Sequence, residues 1–276
     1  MNVKSLGYRT DMIFHAFDGE IIDRGRYLVI RTSANPTFYW GNFLLFADPP
    51  QESDLSVWSE LFAREVGVPP KTQHQVFGWD RVDGEEGVIQ PFLDAGFRRN
   101  HGVVLTCSEP RRPAAYPPAP VSVRALHTDA EWDQVVELQV ASRDAEHEES
   151  GYREFRRRQM ARYRRMVDAG LGDWYAAFLD EQPVADLGLF HSDGIGRYQS
   201  VGTHPDFRRR GIASALIVEA GRQSKAAYNL HTLVIVAEEA SNAARLYQSL
   251  GFRATEHQTG LERWPGMDPD WSDGSG

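Results

Sequence analysis

The stretch "PDFRRRGIASAL" (205–216) holds the residues of this chain with the plainest chemical use. Three consecutive arginines, Arg208, Arg209 and Arg210, repel one another, yet they stand together in a chain of formal net charge −9. They lead into Gly211 and then into small and apolar residues, Ile212, Ala213 and Ser214, which read as the opening of a helix. The first turn of a helix leaves backbone N–H groups without partners, and the dipole adds partial positive charge there. A glycine at the entrance lets a ligand approach the backbone, because no Cβ stands in the way. A pyrophosphate satisfies the arginines, the N–H groups and the Ser214 hydroxyl together. A plain solvated loop is the alternative for these residues taken alone.

Such a site needs a strand to deliver the loop and a helix to receive it. "IGRYQSVGT" (195–203) is the strand, and the helix shows Ile212, Leu216 and Ala220 on one stripe. "TLVIVA" (232–237) is a buried strand by its β-branched content. The next helix shows Ala243, Leu246, Tyr247 and Leu250 at helical spacing, with Gly251 as its terminator and two short strands to follow. Upstream lie a strand (121–126), helices over 129–142 and 152–167, and a strand pair around the turn "EQP". This order argues an α/β fold, a mixed sheet flanked by helices.

At this point the sequence resembles the GNAT superfamily of N-acetyltransferases. The residues are Val201–Pro205, then Arg208-Arg-Arg-Gly211-Ile-Ala213, and then "NAARLYQSLGF" (242–252), with its alanine at Ala244, one place early. The resemblance covers about 121–264 and implies an acetyl-CoA co-substrate between splayed strands. It implies that backbone groups of Val201 and Thr203 hold the pantetheine arm, and that a backbone N–H near Val201 polarises the thioester carbonyl. It places the pyrophosphate on the N–H groups of Arg208, Arg209, Arg210, Gly211, Ile212 and Ala213, with the Ser214 hydroxyl. Tyr247 would protonate the departing thiolate, and Asn242 would touch the pantetheine or the helix start. Tyr247 as a packed core aromatic and Asn242 as an N-cap are the plain readings. The reaction implied is acetyl transfer to a primary amine of a small molecule or peptide. An acyl-CoA-binding sensor without turnover is the alternative, and an enzyme for a longer acyl group is a second.

The family's strand glutamate is absent from "GRYQSVGT", so the general base is open among Gln199 ordering a water, Asp186, His191 and Glu238. "SRDAEHEES" (142–150) offers Glu146, Glu148 and Glu149 to an ammonium, or is simply an acidic loop. "YREFRRRQMARYRRM" carries seven arginines and reads as a solvated face paired with nearby acids. Trp40, Trp58, Trp79 and Trp174 read as core or interface aromatics.

The first half echoes the second. "PFLDAGFRR" (91–99) aligns with "LYQSLGFRA" (246–254), and a strand–helix–strand series precedes each. Asp48, Glu52 and Asp54 stand where the arginines are, and Phe92 stands at the position of Tyr247. The first copy looks shorter, without the region of the two early helices, and is expected to bind no CoA. The expected layout is a degenerate GNAT-like domain over 1–108, a Pro-rich linker over 109–120, a catalytic GNAT domain over 121–265 and a disordered tail over 266–276. The layout resembles that of tandem acetyltransferase chains.

The totals set limits. The 41% apolar and 25% charged residues are ordinary for a globular protein. An acidic balance argues against broad nucleic-acid binding. No apolar run approaches the roughly 20 residues of a membrane span, and the N-terminus does not read as a secretory signal. The single cysteine, Cys107, excludes an intrachain disulfide, reads as a buried strand thiol and fits a cytoplasmic setting. The nine histidines show no metal-site spacing, so no metal is expected. Nothing in the sequence sets the oligomeric state.

Overall fold

The computed structural model describes residues 1–33, 35–36, 38–112, 121–143 and 148–265. The expected linker falls largely outside the described residues, as do Glu146 and the expected tail. In chain order the elements are α1 (Leu6–Asp18), β1 (Glu20–Asp23), β2 (Tyr27–Arg31), β3 (Asn42–Phe46), α2 (Asp54–Glu65), β4 (Gln75–Trp79), α3 (Gln90–Asp94), β5 (Arg98–Cys107), β6 (Ser122–Ala125), α4 (Asp129–Ala141), α5 (Glu149–Asp168), β7 (Gly172–Leu179), β8 (Gln182–Ser192), β9 (Ile195–Thr203), α6 (Ile212–Tyr228), β10 (Thr232–Glu238), α7 (Asn242–Ser249) and β11 (Arg253–Arg263). Two compact units result. The first holds Met1–Leu105, Val236–Ala244 and the described residues from Ala254 on; the second holds Thr106–Ile235 and Arg245–Arg253.

In the first unit the strands run β1-β2-β3-β4-β11-β5. β2 is antiparallel to β1 and β3, β3 and β4 are parallel around α2, and β11 is antiparallel to β4. The β3–α2–β4 crossover is closed by aromatic packing. Phe46 stacks on Trp58 at 3.8 Å between centroids, and Phe62, Phe77, Phe92 and Phe97 complete the cluster. β11 is one strand of eleven residues, not the two short ones expected. Its Gly260 is a packing residue rather than a turn, because a Cβ there would lie 2.7 Å from the Phe77 carbonyl oxygen and 2.8 Å from the Trp40 ring.

In the second unit the order is β10-β9-β8-β7-β6. β6 to β9 are antiparallel neighbours, and β9 and β10 are parallel around α6. Adjacent residues of β7 face opposite layers, as strand geometry requires. Trp174 packs on Trp132 of α4 and Tyr163 of α5, while the Tyr175 hydroxyl meets Ser224 of α6 at 2.9 Å. α4 starts on a capping box between Thr128 and Glu131, and its buried stripe is Trp132, Val135, Val136 and Gln139.

The repeat is visible in element order and in detail. β1–β2–β3, α2, β4, α3, β5 matches β7–β8–β9, α6, β10, α7, β11. The first copy is not bare at its start, since α1 stands where the second copy has α4 and α5. Both terminal helices end the same way. Phe97 N–H donates to the Phe92 carbonyl (2.9 Å) and Phe252 N–H to the Tyr247 carbonyl (3.1 Å). Gly96 and Gly251 take φ +83° and +96° to allow it. This Schellman closure needs a left-handed residue, which is why both copies keep glycine before phenylalanine.

Candidate active site

β9 is irregular where the site is expected. Opposite β8, Asp186 pairs with Gly202 and Gly188 with Gln199, so Ser200 and Val201 together face Leu187. Ser200 takes φ +52° to make this bulge, which re-aims the backbone of Val201. Among the described residues, β9 pairs with β10 only over Ile195–Arg197, and the strand runs on to Thr203 without that partner. The expected thioester and pantetheine contacts, Val201 and Thr203, both lie on this stretch.

The arginine loop follows at once. His204 N–H donates to the Val184 carbonyl (2.9 Å), and a single turn over Pro205–Phe207 brings the chain to Arg208. Arg208 Nε donates to the Thr203 carbonyl at 3.2 Å, and the Arg210 guanidinium lies 5.1 Å from the centroid of the Phe207 ring. All three arginines are exposed, and among the described residues none forms an ion pair. Gly211 is the N-cap of α6 at φ +73°, and it offers no side-chain cap. The first backbone bond of the helix is Ala215 N–H to the Gly211 carbonyl (3.1 Å), which leaves the N–H groups of Ile212, Ala213 and Ser214 ahead of it. The Ser214 side chain is buried beside them. In the first unit the matching helix, α2, begins on Asp54, whose carboxylate accepts from Gln51 N–H at 2.7 Å. An acid at that point repels a phosphate.

Tyr247 lies on the buried side of α7 with Ala244 and Leu250; Ala243, placed on that stripe by spacing, is only half-buried. Its ring meets Phe252 at 6.3 Å, and burial pushes the phenol up to about 12. Its hydroxyl forms no hydrogen bond among the described residues. Asn242 is exposed and is the first residue of α7 rather than its cap. Ser241 caps instead, its hydroxyl accepting from Ala244 N–H at 3.1 Å.

The sequence left the base open, and the structure separates its candidates. Asp186 is 1% exposed. Its Oδ2 accepts from Gln139 Nε2 at 2.6 Å and from Trp174 Nε1 at 3.1 Å. Its Oδ1 faces Gly202, 3.4 Å from where a Cβ there would stand, and accepts no hydrogen bond from the described residues. Burial raises this carboxyl to about 7; the two hydrogen bonds and the charge of Arg156 pull the other way. Gln199 is half-buried and donates to the Tyr163 hydroxyl at 3.2 Å. His191 stands at the far end of β8, its ring centroid 4.2 Å from that of Tyr228 and its basicity lowered by burial. Glu238 is an exposed residue of the other unit. Sequence reasoning missed Gln139 as a partner of Asp186, while Trp174 is the core aromatic expected, 1% exposed, with its Nε1 also turned to Asp186. The available signal was a glutamine on an otherwise apolar helix stripe.

The remaining charges are largely spoken for. Glu148 caps α5 through the N–H groups of Ser150 and Gly151, which hold its carboxyl down at about 2. Glu149 pairs with Arg143 (2.7 Å) and Arg153 (3.1 Å). Arg153, Arg158 and Arg164 of α5 pair with Glu137, Glu154 and Asp129, as the paired-face reading expects. Cys107 is half-buried at the end of β5, less enclosed than expected, and burial raises its thiol. A groove of about 390 Å³ runs from Asp133 and Glu137 on α4 to His204, the residue after Thr203. Among the described residues, no helix is long and apolar enough to cross a membrane.

The bulged strand, the arginine loop and the uncapped glycine-led helix follow one another along the second unit. Residues 171–254, within the second half of this chain, match the family model of the acetyltransferase (GNAT) domain. No curated protein matches the sequence. Among solved structures, a conserved protein of unknown function from Staphylococcus epidermidis is similar at TM-score 0.67 and 14% identity, with 90% of this chain and 94% of that one covered. A GCN5-related N-acetyltransferase from Kribbella flavida is similar at TM-score 0.63 and 14% identity, with 94% of each chain covered. A tandem GNAT protein from the clavulanic acid biosynthesis pathway is similar at TM-score 0.51 and 13% identity, with 77% of this chain and 69% of that one covered. At these identities the likeness is one of fold, and that fold is two GNAT-like domains in one chain.

Proposed function

We propose that the second unit transfers an acetyl group from acetyl-CoA to a primary amine of a small molecule or peptide. The observation that carries the reading is the pairing of three exposed arginines, free of ion pairs among the described residues, with a helix start whose N-cap is a glycine. Pyrophosphate would lie on the N–H groups from Arg209 to Ser214, since that of Arg208 donates to the Pro205 carbonyl, with the guanidinium groups around it. The pantetheine arm would run along Val201 and Thr203, and the thioester oxygen would take the N–H at the bulge. Asn242 is left out of this site.

Asp186 is the base in this scheme. The amine nitrogen attacks the thioester carbon, and its proton passes to Asp186 Oδ1, directly or through one water. The carbon–sulfur bond breaks as the tetrahedral oxyanion collapses. Tyr247, which keeps its proton at any ordinary pH, donates to the departing sulfur. Holding both reactants in register supplies much of the rate. The groove between α4 and His204, with Asp133 on its wall, suits a cationic acceptor. The first unit, with Asp54 at its helix start and Phe92 for Tyr247, would bind no CoA.

The test is thermal unfolding with acetyl-CoA, for the natural protein and for Gly211→Glu, followed by an amine screen with a thiol-detecting reagent. Saturating cofactor should raise the midpoint only in the natural protein, and an accepted amine should release CoA thiol. No shift in either protein contradicts the reading.

A further inference from the structure

His101 of β5, Glu239 in the turn after β10, and His257 of β11 bring one ligand atom each to a single point of the first unit. All three atoms lie within 4.8 Å of one another. His101 Nε2 is 3.2 Å from His257 Nδ1 and 3.3 Å from Glu239 Oε2. Ligands on a tetrahedral zinc, with bonds of about 2.0–2.1 Å, stand about 3.3 Å apart. The spacing is therefore that of two edges of a zinc tetrahedron.

The protons make the same point. His101 Nδ1 is buried without a hydrogen bond and faces Glu86 Oε1 at 4.0 Å. If neutral His101 keeps its proton on Nδ1, toward Glu86, then the Nε2 lone pair confronts the Glu239 carboxylate. If the proton sits on Nε2, the buried Nδ1 lone pair confronts Glu86. A cation between the three atoms removes the conflict. It takes the lone pairs of His101 Nε2, His257 Nδ1 and Glu239, while His101 Nδ1–H turns to Glu86. A ligating histidine backed by a carboxylate is the usual outer arrangement of zinc sites. The backbone N–H of His257 donates to the Val82 carbonyl at 2.9 Å, and a Cβ on Gly84 would stand only 3.2 Å from the His257 Cγ. The three ligands stand at 101, 239 and 257 and form no spacing motif, so they are not legible as a set before the chain folds.

We infer that the first unit binds a zinc ion through His101, Glu239 and His257, with Glu86 orienting His101 and the fourth position open to water. The ion would tie β5, β11 and the turn after β10 together. The full chain, stripped with a chelator, is titrated with Zn²⁺ and followed by thermal unfolding. Co²⁺ then serves as a spectroscopic substitute. One equivalent of Zn²⁺ should raise the midpoint by several degrees, chelator should reverse it, and Co²⁺ should give the visible bands of a tetrahedral site. His257→Gln should abolish both signals. Glu239→Gln, at a 58% exposed side chain that the fold does not need, should weaken binding at least tenfold. Glu86→Gln should weaken it by roughly 10–100-fold. No rise with Zn²⁺, or a rise that the Glu239 and His257 variants leave unchanged, overturns the site. The first outcome would mean that His101 pairs directly with the carboxylates beside it, and the second an adventitious surface ion.

Discussion

Asp186 Oδ1 and the backbone of Gly202 face each other across β8 and β9, with 3.4 Å between the oxygen and the place a Cβ would take. Gly202 directly follows the Ser200–Val201 bulge. The relationship puts a carboxyl of unusual basicity beside the backbone that would hold the thioester, with its second oxygen already fixed by Gln139 and Trp174. A base needs a free oxygen and a fixed one, and Asp186 has both.

Replacing Asp186 by asparagine should lower kcat by about 10²–10⁴-fold, the usual contribution of a general base, with little change in the Kd of acetyl-CoA. In the natural enzyme kcat/KM should climb as pH rises through about 7, where burial places this carboxyl. Steady-state rates of Asp186→Asn from pH 5.5 to 9 should lose that limb, apart from the amine's own ionisation. A variant with the same pH profile and rate contradicts the role.

The same burial gives a stability signature. The native carboxyl titrates near 7 and the unfolded one near its ordinary 3.8. Between those values the native state holds a proton that the unfolded state has lost, so this group's contribution to stability falls as pH rises through the window and levels off above it. The full fall is at most about 4 kcal/mol. Urea unfolding at pH 5 and pH 8 should show Asp186→Asn losing less stability across the window than the natural protein. An equal loss in both would mean that the carboxyl is solvated after all.

Tyr247→Phe should leave acetyl-CoA binding within about twofold, because the ring keeps its packing on Phe252. It should cut kcat by about tenfold or more, since a donor to the sulfur is then lost. Calorimetric binding and steady-state kinetics on one preparation separate the two effects. An unchanged kcat would return Tyr247 to the role of a core aromatic.

Changing Arg208, Arg209 and Arg210 to alanine singly should weaken acetyl-CoA by about two- to fivefold each, near 1 kcal/mol or less for exposed charge pairs. The triple variant should also flatten the salt dependence of Kd, because screening acts on charges at the surface. Binding isotherms at low and at high salt check both. A triple variant with natural affinity and natural salt slope assigns the phosphate elsewhere.

Much of this was legible in sequence where the signal is local. The arginine loop, Gly211 and the strand before it obey short-range rules, and so does the closure shared by Gly96–Phe97 and Gly251–Phe252. The paired arginines of α5 follow from i, i+4 spacing and the acids nearby. What escaped depends on distant partners. The bulge at Ser200 exists only against β8, and Asp186 looks like any strand acid until Gln139 and Trp174 close over one oxygen. β11 runs as one strand where two short ones were expected, because its length is set by pairing with β4. The cap of α7 went to Ser241 rather than Asn242, a one-residue choice that local pattern does not fix.

The proposed function requires one acetyl-CoA per chain, bound on the loop that ends at Gly211. Titration calorimetry of acetyl-CoA into the natural protein and into Gly211→Glu tests it most directly. A side chain at φ +73° is strained, and a carboxylate there faces the phosphate. One site per chain is expected in the natural protein and none in the variant, with the variant still folded by circular dichroism. Two sites per chain, or one that survives Gly211→Glu, would contradict it.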